Sequence, residues 1–97
     1  MIVNSEFVLV SILVPIYNVS KYIEQCAVSL FEQTYDNIEY VFVDDCSPDD
    51  SIALLKKVME RYPKRKDQVK IVAHEKNAGL SNARITGINN CSGLYLL

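Results

Sequence analysis

Residues 7–16 read FVLVSILVPI, apolar at every position except Ser11 and Pro15 and rich in β-branched side chains. A run of this kind, with no polar alternation, suits a strand buried on both faces of a parallel sheet. It is about half the length of the roughly 20 residues that cross a bilayer, so it reads as a buried strand and not as a membrane helix. Pro15 brings no N–H to a ladder, so the strand is expected to end there.

Helix and strand signals then alternate along the chain. Residues 20–34 place Tyr22, Ile23, Cys26, Ala27, Leu30 and Phe31 along one helical face, with Asn18 or Ser20 as the expected cap. Residues 38–43 (IEYVFV) form a second strand, broken by Asp44-Asp45-Cys46-Ser47-Pro48. A second helix over residues 50–62 carries Ile52, Leu55, Val58 and Met59 at helical spacing, with Asp49 or Asp50 as its cap and Pro63 closing it. Residues 69–74 are the third strand, 75–79 a polar loop and 80–90 a third helix. Gly93 precedes a fourth strand over 94–97.

The order βαβαβαβ makes this an α/β fold: one parallel sheet with helices on both faces, because crossovers between parallel strands are right-handed. Residues 1–97 read as a single domain, with 1–6 a loose N-terminal tail that lacks the basic region and cleavage site of a signal peptide. Ligands of open sheets bind outside the carboxyl ends of the strands, which selects residues 15–18, 44–47 and 74–79.

Composition narrows the function. The chain has 97 residues, 49% hydrophobic and 23% charged, as in globular proteins. A net charge of −2 and the absence of a Lys/Arg stripe argue against a nucleic-acid partner. The one basic run, Lys64-Arg65-Lys66, reads as a solvated loop after a helix. Cys26, Cys46 and Cys91 form no CxxC pair and read as thiols in a reducing compartment. His74 is the only histidine, a poor basis for a zinc site.

Each selected loop supports two readings. Tyr17 can stack on a planar base or simply cover the sheet end, and Asn18 can meet a ligand or cap the next helix. Asp44 and Asp45, leaving a strand in succession, point in opposite directions: one can face the crevice and accept from a base or ribose, while the other holds the loop. Asn77 and Gly79 lie in the third loop, where Gly79 permits a backbone closed to other residues. Arg84, about one turn into the third helix, can reach base or phosphate oxygens or serve as a surface cation. GxGxxG and GxxxxGK[ST] are both missing, which argues against a dinucleotide fingerprint and a P-loop.

In order along the chain, Val10 to Asn18 (VSILVPIYN), Ser29-Leu30, Gln33-Thr34-Tyr35, Glu39 to Ser47 (EYVFVDDCS), Asn77 to Arg84 (NAGLSNAR) and Ser92 to Tyr95 (SGLY) resemble the motifs of the family 2 inverting glycosyltransferases. The resemblance covers residues 8–97 and implies part of a GT-A, Rossmann-like domain that binds a nucleoside diphosphate sugar, UDP-sugar being the expected donor. It implies that Tyr17 flanks the base, Asp45 accepts from the base edge and Arg84 lies near base or diphosphate. Pro15 and Asn77 to Gly79 would shape the wall, and Asp44 would support the site. Cys46 replaces the family's usual glycine and Ile85 its usual asparagine. The resemblance further implies that a DxD-type motif holding Mg or Mn, and the general base, lie after Leu97. This chain by itself is therefore expected to bind nucleotide without transferring sugar, and to hold no metal on its own side chains. The full-length protein is expected to act on a glycan or lipid-linked acceptor in polysaccharide or cell-surface glycan synthesis, in the cytoplasm or at the inner face of the membrane. A non-catalytic α/β binding or assembly module is the competing reading, and the exposed sheet edge is expected to favour self-association in either case.

Overall fold

The computed structural model describes residues 8–96. The tail at 1–6, the strand start at Phe7 and the strand end at Leu97 lie outside the described residues. Four strands, β1 (Val10–Ile16), β2 (Ile38–Asp44), β3 (Val69–Ala73) and β4 (Leu94–Leu96), alternate with α1 (Ile23–Phe31), α2 (Ser51–Glu60), a short α3 (Pro63–Lys66) and α4 (Leu80–Asn89). The sheet is parallel throughout, in the order β3-β2-β1-β4. The expected α/β architecture is therefore present. Among the described residues, no helix is long and apolar enough to cross a membrane.

Pro15 does not end its strand. It pairs in register with Val43, and β1 runs on to Ile16. The N–H of Val10 points to β2, donating to Asn37 O at 3.0 Å, so strand alternation turns the Pro15 nitrogen away from β2. On that other side the described pairing with β4 stops at Ile12–Leu96, and no ladder bond is lost.

Side chains of β2 divide the core by their period of two. Ile38, Tyr40 and Phe42 join Ile16, Ile23, Ala27, Phe31, Leu55 and Val58 beneath α1 and α2. Val41 and Val43 join Leu13 and Ala83 beneath α4. Phe31 meets Tyr40 edge-on at 5.1 Å and Phe42 at 6.3 Å, a geometry that aligns ring edges with ring faces. On the opposite face α4 lies close because Gly87 has no side chain. A Cβ there would sit 1.7 Å from Leu13 Cδ1.

The basic run corrects the sequence reading. Residues 63–66 are helical rather than loop, and Arg65 is buried while Lys64 and Lys66 stay exposed. The Arg65 guanidinium donates to the carbonyls of Phe31 (3.1 Å), Gln33, Tyr35 (2.9 Å) and Asp36 (3.4 Å), and to Gln68 Oε1 (3.2 Å). Helix α1 ends on carbonyls with no partner inside the helix, and five fixed N–H donors suit them and the loop that follows.

A second buried charge lies toward the N-terminal ends of the strands. Glu39 Oε1 accepts from Ser11 Oγ (3.0 Å) and Ser92 N (2.8 Å), and Oε2 pairs with Lys70 Nζ (3.1 Å). Burial works against its charge, but the Ser92 amide, Lys70 and Ser11 outweigh it and hold the carboxyl below its ordinary range.

Replacing Arg65 by alanine strands several buried carbonyls and is expected to cost about 3 kcal/mol, a figure typical of losing charged hydrogen bonds together with their desolvated partners. Arg65→Lys should recover little, since an ammonium cannot span the same fork. Urea unfolding of the two variants checks both expectations.

Candidate nucleotide-binding site

The carboxyl ends of β1, β2 and β3 converge on an open cleft of about 360 Å³. Five of the residues singled out from the sequence line it: Pro15, Tyr17, Asp45, Asn77 and Gly79, joined by Val19, Leu80 and Ala83. Tyr17 is 47% exposed, so its ring is available at the cleft wall. Asn18 and Asp44 shape the adjoining loops instead of lining the cleft, and Arg84 stands exposed on α4. Ile85, in place of the motif's asparagine, is 55% exposed.

The two adjacent aspartates diverge, as alternation demands, but both serve the loops. Asp44 Oδ1 accepts from Ser47 N at 2.9 Å and closes the turn. Asp45 is the more buried, at 3% exposure, and reaches across to the third loop. It accepts from Ala78 N (2.8 Å) and Gly79 N (2.9 Å), one on each oxygen, and its Oδ1 also meets His74 Nδ1 at 2.8 Å. The His74 side chain, then the Ala78 and Gly79 amides, hold the Asp45 carboxyl below its ordinary range. An ionised carboxylate only accepts, so His74 Nδ1 carries the proton toward it. The other ring nitrogen, Nε2, lies 2.7 Å from Thr86 Oγ1 on α4.

Gly79 adopts φ 90° and ψ 164°, a region essentially restricted to glycine, where the third loop turns into α4. Cys46 also has a positive φ, of 56°. The turn keeps the left-handed backbone that the motif's usual glycine would supply, and a cysteine adopts it at a cost. Its thiol faces Glu75 O at 3.6 Å, a weak contact between the second and third loops.

The first and second loops are joined by Asp49, a connection the sequence reading did not anticipate. Asp49 Oδ1 accepts from Ser47 Oγ (2.6 Å), Ser51 Oγ (2.6 Å) and Ser51 N (3.1 Å), and Oδ2 accepts from Ser20 N (3.0 Å). The same serine hydroxyls take the amides of Asn18 (2.9 Å) and Val19 (3.2 Å). Of the two cap candidates for α2, Asp49 makes the bond, while Asp50 makes no side-chain cap bond. Neither Asn18 nor Ser20 caps α1. That helix starts at Ile23, and Asn18 takes up a left-handed turn at φ 55°. The pattern Ser47-x-Asp49-x-Ser51 was the available signal, but an acceptor flanked by hydroxyls reads equally as an ordinary turn. The serine hydroxyls, foremost that of Ser47, hold Asp49 far below the usual carboxylate range.

This arrangement joins an exposed aromatic ring, a loop fixed by a buried carboxylate and a cleft at the strand ends. The sequence profile described as glycosyl transferase family 2 matches residues 11–97. The chain belongs to glycosyl transferase family 2. It is 44% identical over 88 residues to the uncharacterized glycosyltransferase EpsJ of Bacillus subtilis strain 168, covering 91% of this chain and 24% of that protein. Among solved structures it resembles the mannosyltransferase PcManGT of Pyrobaculum calidifontis in complex with GDP-Man and Mn2+. The TM-score is 0.79 at 28% identity, over 87% of this chain and 24% of that one. It also resembles S. aureus TarS in complex with UDP-GlcNAc, with a TM-score of 0.76 at 29% identity, over 91% and 26% of the two chains. The chain thus spans about a quarter of the length of these relatives.

A divalent cation accompanies GDP-Man in one of these relatives. Among the described residues of this chain, no group of three or more His, Cys, Asp or Glu side chains converges to hold a metal ion. Asp44 Oδ1 and both carboxylate oxygens of Asp45 and Asp49 are engaged with loop amides and hydroxyls.

Two expectations follow from this geometry. The depressed carboxyls of Asp45 and Asp49 add stability that is fully present above the ordinary aspartate range near pH 4 and is lost as pH falls through their lowered folded values. Thermal melts from about pH 2 to 6 should show this acid limb, and it should become shallower in Asp45→Asn and Asp49→Asn. Cys46→Gly relieves the left-handed strain and is expected to stabilise the protein by about 1 kcal/mol, net of glycine's greater unfolded-state entropy. Chemical denaturation would register the gain.

Proposed function

We propose that the full-length protein transfers a sugar from a nucleoside diphosphate sugar, a UDP-sugar in the first instance, to an acceptor hydroxyl with inversion, and that residues 8–96 bind the donor's nucleotide. The observation that carries this reading is the cleft at the ends of β1, β2 and β3 in a chain of this family, walled by Tyr17 and by a loop fixed through Asp45. TarS with UDP-GlcNAc and PcManGT with GDP-Man, matched over nearly the whole of this chain, support a nucleotide sugar as the ligand class.

Roles follow from the chemistry of each group. Tyr17 offers a ring face to a base. Asp45 has about four acceptor positions and uses three on Ala78, Gly79 and His74, which leaves room for one donor such as an imide N–H of the base. Pro15, Asn77 and Gly79 form the wall, Asn18 and Asp44 hold its loops, and Arg84 reaches toward the diphosphate when the donor is bound. A divalent cation, Mg or Mn, would supply Lewis-acid stabilisation of the departing diphosphate. Its ligands are proposed to come from residues outside those described, as is the base for a glycan or lipid-linked acceptor.

Isothermal titration of the full-length protein with UDP, UMP and GDP tests the reading. Stacking on an aromatic ring is worth about 1–3 kcal/mol per base, so Tyr17→Ala should weaken nucleotide binding by at least about fivefold. An unchanged affinity removes Tyr17 from the site, and no binding of any of the three nucleotides overturns the proposal.

A further inference from the structure

Resting on that reading, we propose that His74 is the positioning residue of the site, and that its Nδ1–H locks the Asp45 carboxylate in the orientation that holds residues 77–79 against the nucleotide. His74 does not line the cleft, and its side chain is only 16% exposed. Both ring nitrogens are engaged, at 2.8 Å with Asp45 Oδ1 and at 2.7 Å with Thr86 Oγ1. Set behind the cleft lining, the ring is not placed to reach a proton of a bound substrate, which separates it from a general acid or base.

The ring is anchored from three elements. Its backbone follows β3, with His74 N donating to Asp44 O at 2.8 Å beside the aspartate pair. Its Nε2 is tied to the middle of α4 through Thr86, and its Nδ1 is tied to the end of β2 through Asp45. The hydroxyl of Thr86 can donate or accept, so this tether persists whichever protons the ring carries. Asp45 has two rotatable side-chain bonds and must present one oxygen to Ala78 N and the other to Gly79 N. A third, laterally placed donor removes the alternative rotamers in which only one amide is satisfied, and so lowers the ordering cost met on nucleotide binding.

Two substitutions separate the contacts of the ring. His74→Asn places an amide nitrogen close to the position of Nδ1 and keeps the donor to Asp45, while His74→Gln extends toward the Nε2 position and keeps only the side facing Thr86. In the full-length protein, His74→Gln is expected to raise the Kd for UDP, and the KM for the donor sugar, roughly tenfold with little change in kcat, whereas His74→Asn stays within about twofold. Amide exchange provides a readout that needs no nucleotide: the segment holding Ala78 and Gly79 should exchange much faster in His74→Gln and only slightly faster than native in His74→Asn, which gives up the tether to Thr86. Equal behaviour of the two variants in both measurements, or a loss confined to kcat, overturns the proposal. Should either variant fail to fold, Thr86→Val keeps the ring and removes its outer tether. Accelerated exchange at residues 78 and 79 with a smaller rise in Kd is then expected, and native exchange overturns the proposal. Failure of the nucleotide reading is distinct, since the unsubstituted protein would then bind none of the nucleotides while the exchange pattern still reports on His74.

Discussion

The carboxylate of Asp45 connects what the sheet by itself leaves apart. Strands β2 and β3 end side by side, but the chain beyond β3 has to turn back into α4, and the amides of Ala78 and Gly79 need acceptors there. Asp45 accepts both from the end of β2. Amides partly shielded from water lose free energy when they lack a partner, so one side chain fixes the third loop against the second. Asp49 does the same between the second and first loops, and the three strand ends become one rigid rim. Both carboxyls are held below their ordinary range because donors surround them, which expresses the same stabilisation in terms of protons.

That rim depends on a sheet whose centre is apolar on both faces. The rings of Phe31, Tyr40 and Phe42 fill one side, and Gly87 lets α4 settle onto Leu13 on the other. Close seating of α4 has a consequence for the site, since Thr86 sits next to Gly87 and supports His74. Charges are buried away from the cleft as well, at Arg65 and Glu39, and each is surrounded by partners. Among the described residues, no buried side-chain nitrogen or oxygen is left without a hydrogen bond. Each buried charge fastens a connection: Arg65 the segment from α1 to β2, and Glu39 the segment from α4 to β4.

Membership in glycosyl transferase family 2 places this rim in a functional context, and the chain's own residues give it content. A fold of this kind hosts many activities, so the nucleotide reading rests on Tyr17, Asp45 and the loop at 77–79 more than on the sheet. Cys46 and Ile85 depart from the family motifs without disturbing the rim. The cysteine takes the left-handed turn itself, and the isoleucine is exposed on α4.

The sequence by itself determined the alternation of the four strands with the three longer helices, the three loops that gather at the strand ends and five of the residues that line the cleft. These are local or periodic properties: apolar runs, a period of two or of 3.6, and turn residues at strand ends. Only the tertiary structure decided that Arg65 is buried, that Asp45 holds a loop, that Asp49 joins two loops and that His74 braces the first of these aspartates. Asp45 lies 29 residues from His74 and 34 from Gly79, and Arg65 lies 34 from Phe31. Partners so far apart in the chain leave no pattern in it. A polar side chain in a loop looks the same in sequence whether it faces water or the amides of a neighbouring loop, and only the packed sheet brings those amides within 3 Å.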